Sequence, residues 1–226
     1  MNWKLAFACS SAFIALAVLP AAASAVNDPQ LTNNKAELVA VGTGDLKATQ
    51  VGTTGIVSTE GTKLVECTTG TGTGTVTKNS GGTVEGEITS LVIGGTGPKA
   101  VSEPAAECTG SLGNISITPI LPVCLRSTPT MNNDEMQLRG GKCSEAAKSV
   151  EFIIVSTTIG ECKYSRATPL KADFTTTPED ARATIRKTPE GSGLSKAAGG
   201  ILCPASVMME GVRTLEDEAG NPLFVS

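Results

Sequence analysis

Residues 64–89, LVECTTGTGTGTVTKNSGGTVEGEIT, mix threonine and glycine so densely that three structures compete for them: a phosphate-cradling loop, a disordered linker and a β-hairpin. A phosphate loop needs Gly-x-Gly-x-x-Gly between a strand and a helix, or Gly-x-x-x-x-Gly-Lys-Ser/Thr. Gly70, Gly72 and Gly74 fit neither. The residues that follow alternate apolar and polar, as Val84 and Ile88 show, with no helical period. Asn79-Ser80-Gly81-Gly82 supplies turn chemistry, because glycine reaches positive φ without steric cost. The stretch therefore reads as a hairpin anchored at Cys67, with room for a local linker only over 69–74.

Outward from this hairpin, the cysteine spacing repeats. Cys67 and Cys108 are 41 positions apart, as are Cys162 and Cys203. In both intervals a cysteine is followed by a short spacer, a strand, a turn, a second strand, a Gly/Pro/Ser-rich loop and another cysteine; the second turn is Thr177-Pro178-Glu179-Asp180. Equal intervals with one rhythm suggest two pseudo-repeat units, about 63–110 and 158–205. Cys124 and Cys143 flank the segment between. Six cysteines allow 15 pairings; the repeat favours Cys67–Cys108 and Cys162–Cys203, leaving Cys124–Cys143.

The first residues bear on compartment. MNWK carries Lys4, an apolar run follows, and Ala23-Ser24-Ala25 has the small-x-small pattern of a cleavage site. Residues 1–25 read as a signal peptide containing the seventh cysteine, Cys9, and residues 26–226 as a single all-β domain with no transmembrane segment. Processing after Ala25 leaves 17 basic against 22 acidic residues, a formal charge of −5. That mildly acidic chain has no basic cluster for phosphates, which argues against nucleic acid. An even number of cysteines in an exported chain reads as disulfides and places the protein outside the cytoplasm, secreted or in the cell envelope.

Period-2 segments recur at Leu38, Gly44, Gly55, Asn114, Ser149, Ala181, Ser206 and Pro222, separated by turn clusters; only SEAAKS from Ser144 hints at a helical turn. Many short strands predict an antiparallel β-sandwich or a partly closed barrel. The expected core is Leu38, Val41, Val65, Val84, Ile88, Ile115, Ile117, Leu121, Val150, Phe152, Ile154, Phe174, Ile185, Leu202, Val207, Leu223 and Phe224. The terminal PLFVS reads as an exposed edge strand, open to self-association or a partner by strand addition.

The Cys-anchored Thr-rich hairpin, LPVC from Leu121, RGGKC from Arg139, GECKY from Gly160, LCP from Leu202 and the terminal PLFVS together resemble the uncharacterised secreted disulfide-containing β-proteins of high-GC Gram-positive bacteria. The hairpin followed by Leu-Pro is similar, more weakly, to exported activators of alkane oxidation. The resemblance spans most of the chain after residue 25. It implies export and an all-β fold, and it transfers no site residue.

Chemistry narrows by elimination. The chain has no His, which removes Ser-His-Asp and Cys-His catalysis, His-ligated zinc and the usual neutral-pH base. No Cys-x-x-Cys occurs, so the cysteines are read as disulfides. Tyr164 reads as a packed strand residue. Glu85 and Glu87 share a strand face and would be the pair for acid–base work, although like charges on a solvent face are the commoner case. Asp134-Glu135 and Glu216-Asp217-Glu218 read as polar turns without the spacing of a calcium loop. No catalytic residue, metal ligand or cofactor is assigned, and the chain is not expected to be an enzyme. It reads first as a structural or interaction protein of the cell envelope. The alternative is a binding module for a small apolar or amphiphilic ligand, with Met131, Met136, Met208 and Met209 as adaptable lining. A His-independent hydrolase comes last.

Overall fold

The computed structural model describes residues 29–33, 35, 37–42, 45–94, 108–111, 113–131, 135–174, 182–186 and 188–225. In chain order these form β1 (Leu31–Asn33), β2 (Asp45–Val57), β3 (Lys63–Cys67), β4 (Gly70–Ser80), β5 (Thr83–Ile93), β6 (Cys108–Thr109), β7 (Ile115–Pro119) and β8 (Val123–Ser127). There follow β9 (Glu135–Gly140), β10 (Val150–Ser156), β11 (Gly160–Arg166), β12 (Leu170–Phe174), β13 (Arg182–Ile185), a helical turn α1 (Pro189–Ser192), β14 (Gly193–Gly199), β15 (Ser206–Glu216) and β16 (Leu223–Val225). The signal-peptide segment with Cys9, the turn Thr177–Asp180, most of the loop before Cys108, and Asp134 lie outside the described residues.

The fold is all-β, and the opening stretch is its central hairpin. Strands β4 and β5 pair antiparallel from Ser80↔Thr83 to Gly70↔Ile93. Gly81 and Gly82 make the two-residue turn with φ of 59° and 64°. Two consecutive positive φ values are what a type I′ hairpin requires, and Gly-Gly adopts them without strain. There is no linker at its start, because β4 begins at Gly70.

Every strand pairing is antiparallel, and the large sheet closes on itself. One circuit of hydrogen-bonded neighbours runs β2, β4, β5, β8, β9, β12, β13, β15 and back to β2. A second runs β2, β4, β5, β7, β10, β11, β14, β15 and back to β2. The rings share β2, β4, β5 and β15, which at 11 to 13 residues are the longest strands. These strands change partners along their length: β2 pairs with β4 over Asp45–Thr49 and with β3 over Thr54–Val57. Gly52, at φ 68°, sits at the irregularity between those halves. The segments read as separate strands at Gly44 and Gly55 are thus one strand carried across a bulge.

Each ring has its own core. Ile56, Val65, Ile115, Phe152, Tyr164, Leu194 and the disulfide cysteines 67, 108, 162 and 203 fill one. Leu46, Val76, Val84, Ile88, Val123, Leu125, Met136 and Leu215 fill the other, closed at one end by Leu31, Leu223 and Val225 of the small β1–β16 sheet. Each such aliphatic or aromatic side chain contributes roughly 1.5–3 kcal/mol when fully buried. The cores do not divide by pseudo-repeat, since Val65 and Ile93 pack in the same cluster as Phe152 and Tyr164.

The structure joins Cys67 to Cys108, Cys124 to Cys143 and Cys162 to Cys203. Cys67 and Cys108 face each other across β3–β6. The middle bridge ties the β8–β9 hairpin at its open end.

Several expectations need correction. Residues 38–42 are not a strand: Leu38 makes one isolated bridge to Thr32, and Leu38 and Val41 are 58% and 51% exposed. Val39 is the residue that packs inward there, its amide donating to the Leu31 carbonyl of β1, while Leu38 and Val41 stay in solvent. Leu202 is 63% exposed in the turn before Cys203. Leu121 and Ile185 are only partly buried, at the edges of the cores, and the side chain of Phe174 lies outside the described residues. Residues 193–199, read as part of a loop, form β14 between β11 and β15. SEAAKS is an irregular turn that ends in a Lys148–Gly140 bridge, with no helix. The terminal PLFVS is not an exposed edge: Leu223, Phe224 and Val225 are buried and paired with β1.

Candidate functional site

The glycines of the opening stretch shape the interior. Gly70, Gly72 and Gly74 are buried while Thr71 and Thr73 are exposed, so this part of β4 presents only backbone to the inside of the ring. A Cβ on Gly74 would lie 2.1 Å from the Glu87 carbonyl oxygen, and one on Gly86 would lie 2.8 Å from Leu46 Cδ1. Ala48, Ala172 and Ala183 are equally small inward residues on other walls. An eight-stranded ring is just wide enough for side chains to fill it or for one small ligand. Here the short side chains leave an apolar cavity of about 80 Å³ where the two cores meet, bounded among others by Ile88, Leu125, Met136, Phe152, Leu170 and Met209.

Among the described residues two polar ones, Thr54 and Arg213, border this cavity, whose wall is almost wholly apolar. Arg213 shares the inner face of β15 with Met209 and Leu215, and it stands opposite Gln50 of β2. A Cβ on Gly70 would fall 2.6 Å from Gln50 Oε1 and 2.9 Å from Arg213 Nη1, so the guanidinium passes over the bare backbone of that glycine. Arg213 Nη1, Gln50 Oε1 and Thr54 Oγ1 are all shielded from solvent without a hydrogen-bond partner. Burial pushes the Arg213 pKa down to about 10, because a charged group loses hydration there. The group keeps its charge at neutral pH.

The residues singled out in the sequence fall elsewhere or become structural. Tyr164 is a core residue whose hydroxyl donates to the Pro204 carbonyl at 3.0 Å, and burial raises its pKa to about 12. Glu85 Oε1 lies 3.1 Å from Arg126 Nε, at ion-pair distance but off the hydrogen-bond direction. Glu87 accepts from the Cys143 backbone amide at 2.8 Å. Each carboxylate is thus engaged by its own partner on the outer wall. Glu135 is buried with Lys171 Nζ at 3.4 Å and Arg186 Nη1 at 3.5 Å, and Arg186 also binds Asp173.

Asp217 closes the turn before β16, accepting from the Asn221 amide and Asn221 Nδ2, both at 2.8 Å. Partial burial works to raise its pKa, but the hydrogen bonds from Asn221 and Ala219 and the charge of Lys35 outweigh it and hold the carboxyl below its ordinary value. No group of three His, Cys, Asp or Glu side chains is placed to hold a metal among the described residues. Of the four methionines, Met136 and Met209 meet at the cavity; Met131 borders an open polar groove of about 820 Å³ on the outer wall, and Met208 is buried away from both. The charges of that groove are largely answered within the protein, Arg126 beside Glu85, Lys171 beside Glu135, and Arg139 Nη2 on the Cys143 carbonyl at 2.8 Å.

Sequence reasoning missed Arg213, Thr54 and Gln50. A signal was present for the first, since Met209, Arg213 and Leu215 fall at one strand parity, placing a cation on an otherwise apolar face. Comparison with family models, curated proteins and solved structures finds no match to this chain.

Proposed function

We propose that this chain is an exported, non-catalytic binding protein that holds a small apolar or amphiphilic molecule inside the ring built on β4 and β5. The observation that carries this is the apolar cavity bounded by Met136 and Met209 within a closed eight-stranded circuit. Three disulfides suit an oxidising compartment, and no helix among the described residues is long and apolar enough to cross a membrane. The test is the mass of the protein exported by its own host, taken under native and then denaturing, non-reducing conditions. A small molecule present in the first spectrum and released in the second supports the reading. A bare chain whose stability no apolar compound raises overturns it.

A structural or interaction role in the cell envelope is the second reading. It is favoured by Ile201 and Leu202, which are 96% and 63% exposed side by side in the turn fastened by Cys203. Replacing both with Ser would abolish an association that depends on them and leave the fold intact.

A further inference from the structure

Deepening the second reading above, and resting on it, we propose that the turn between β14 and β15 is an anchor that inserts Ile201 and Leu202 into a lipid surface with zwitterionic headgroups.

Exposure is the first argument. Among the described residues the exposed large apolar side chains are Leu38, Val41, Ile120, Ile201 and Leu202, and of these only Ile201 and Leu202 adjoin in the chain. Single exposed aliphatics are ordinary on a protein surface. This pair ends a stretch, Ser195 to Leu202, in which every residue is exposed. Its presentation is fixed: Cys203 is bonded to Cys162 of β11, the Cys203 amide donates to the Gly200 carbonyl at 3.2 Å, and the Lys196 amide donates to the Ala205 carbonyl at 2.9 Å. A preformed tip loses little conformational freedom when it binds.

Polarity is the second argument. A backbone carbonyl carried toward hydrocarbon without a partner is costly. Here Lys196 Nζ donates to the Gly200 and Cys203 carbonyls, each at 3.4 Å, so one ammonium serves the carbonyls on either side of Ile201 and Leu202. A lysine so placed keeps its charge at headgroup level while its stem lies along apolar surface. From Gly191 to Met209 it is the only charged residue. On neighbouring β11, Lys163 is paired with Glu151 at 2.9 Å, and Glu161 lies exposed beside the bridge. One engaged cation and one free acid, on a chain with more acids than bases, offer anionic headgroups no attraction. A zwitterionic surface is the one that fits.

Size is the third argument. Two aliphatic side chains offer on the order of 200 Å², against about 800 Å² that each partner buries in a stable protein interface. A lipid surface needs no complementary partner, because apolar side chains enter it individually.

The experiment is flotation of the exported disulfide-bonded protein at pH 7 with vesicles of phosphatidylcholine, and with vesicles enriched in phosphatidylglycerol. The parent should float with phosphatidylcholine at low and high salt alike, and Ile201→Ser with Leu202→Ser should lower its partitioning about tenfold or more. Ile201→Trp should bind at least as well as the parent, and the emission of the introduced indole should shift to the blue with vesicles; the sequence has no other Trp than Trp3. Vesicle binding that the serine substitutions leave unchanged, that is confined to phosphatidylglycerol and lost in salt, or that leaves the indole emission unmoved overturns the anchor. Absence of vesicle binding, together with a self-association that the serine substitutions abolish, overturns the lipid assignment and leaves the interaction reading standing. Absence of both overturns that reading as well. Because parent flotation and the indole shift need no serine variant, the assignment stands or falls even if that variant does not fold.

Discussion

The two rings share β2, β4, β5 and β15, yet they are filled in opposite ways. One holds Phe152 and Tyr164 and has two disulfides in its core. Among the described residues the other has neither an aromatic residue nor a cystine in its core cluster; its bridge, Cys124–Cys143, sits by Gly86 and Glu87, and Glu87 holds the Cys143 amide. Both circuits have the same strand number and so a similar girth. What separates them is the cavity, which Ala48, Ala172 and Ala183 help to bound; the space over Gly72, Gly74 and Gly86 is already taken by Leu91, the Glu87 backbone and Leu46. A ring with two cystines in its core, the frame, stands beside a ring that bounds a small apolar cavity, the container.

The largest effect is expected where a side chain is forced between β4 and β5. In Gly74→Val a side chain is driven toward the Glu87 carbonyl, 2.1 Å from the Cβ position, which neither strand can yield without losing its ladder. The expected loss is about 4 kcal/mol in urea unfolding. At the hairpin tip Gly81 has nothing within 4 Å, and Gly81→Asn should cost under about 1 kcal/mol because Asn tolerates positive φ. If both cost the same, the glycines serve the chain's flexibility and not the wall.

Bracing comes next. In the chain-entropy model, replacing Cys162 and Cys203 by Ser should cost about 4 kcal/mol and replacing Cys124 and Cys143 about 3, since the closed loops span 41 and 19 positions. Hydrogen exchange would sharpen this: loss of the first bridge should speed exchange in β11 and β14, and loss of the second in β8 and β9. Smaller still are volume changes. Val65→Leu, in the filled ring, should cost about 2 kcal/mol through overpacking. Ala172→Val, on the cavity wall, should gain about 1 kcal/mol by filling space. Opposite signs are the signature of one full and one hollow ring, and equal signs would erase the distinction. Arg213→Met, measured without ligand, should also gain about 1 kcal/mol by removing a buried donor that has no partner.

What was legible in the sequence was whatever had a local cause. The hairpin at Gly81-Gly82 follows from turn chemistry, and the strands at Ser149 and Ser206 follow from alternation. Ring closure was not legible, because β2 meeting β15 and β5 meeting β8 are pairings between distant segments that no local pattern encodes. Residues 193–199 hid for another reason. Of β14 only Leu194 is buried and the last five residues are exposed, so the strand carries no alternation to read. Leu38 and Val41 erred the other way, apolar residues left in solvent while Val39 between them packs on the core. The candidate site suffered most: a void is made of side chains that are missing, and no local pattern marks Ala48, Ala172 and Ala183 as residues that will face one.

The smallest predicted effect tests the cap of the container. Asp217 holds the turn that delivers β16, and its carboxyl titrates below the ordinary value because Asn221 and the Ala219 amide bind the ionised form. A folded-state pKa below the unfolded one contributes stability that is present above about pH 4 and is lost as pH falls through the folded value. The group is near the surface, so solvent screening limits the term to a few tenths of a kcal/mol. Asp217→Asn keeps the shape and one acceptor but removes the titration. Between pH 5 and pH 3 the parent should therefore lose slightly more stability than Asp217→Asn. The difference should show as faster amide exchange at Leu223–Val225, with β10 and β11 unchanged. If acid loosened β10 and β11 equally, the two rings would be one cooperative body, and the frame and the container could not be opened separately.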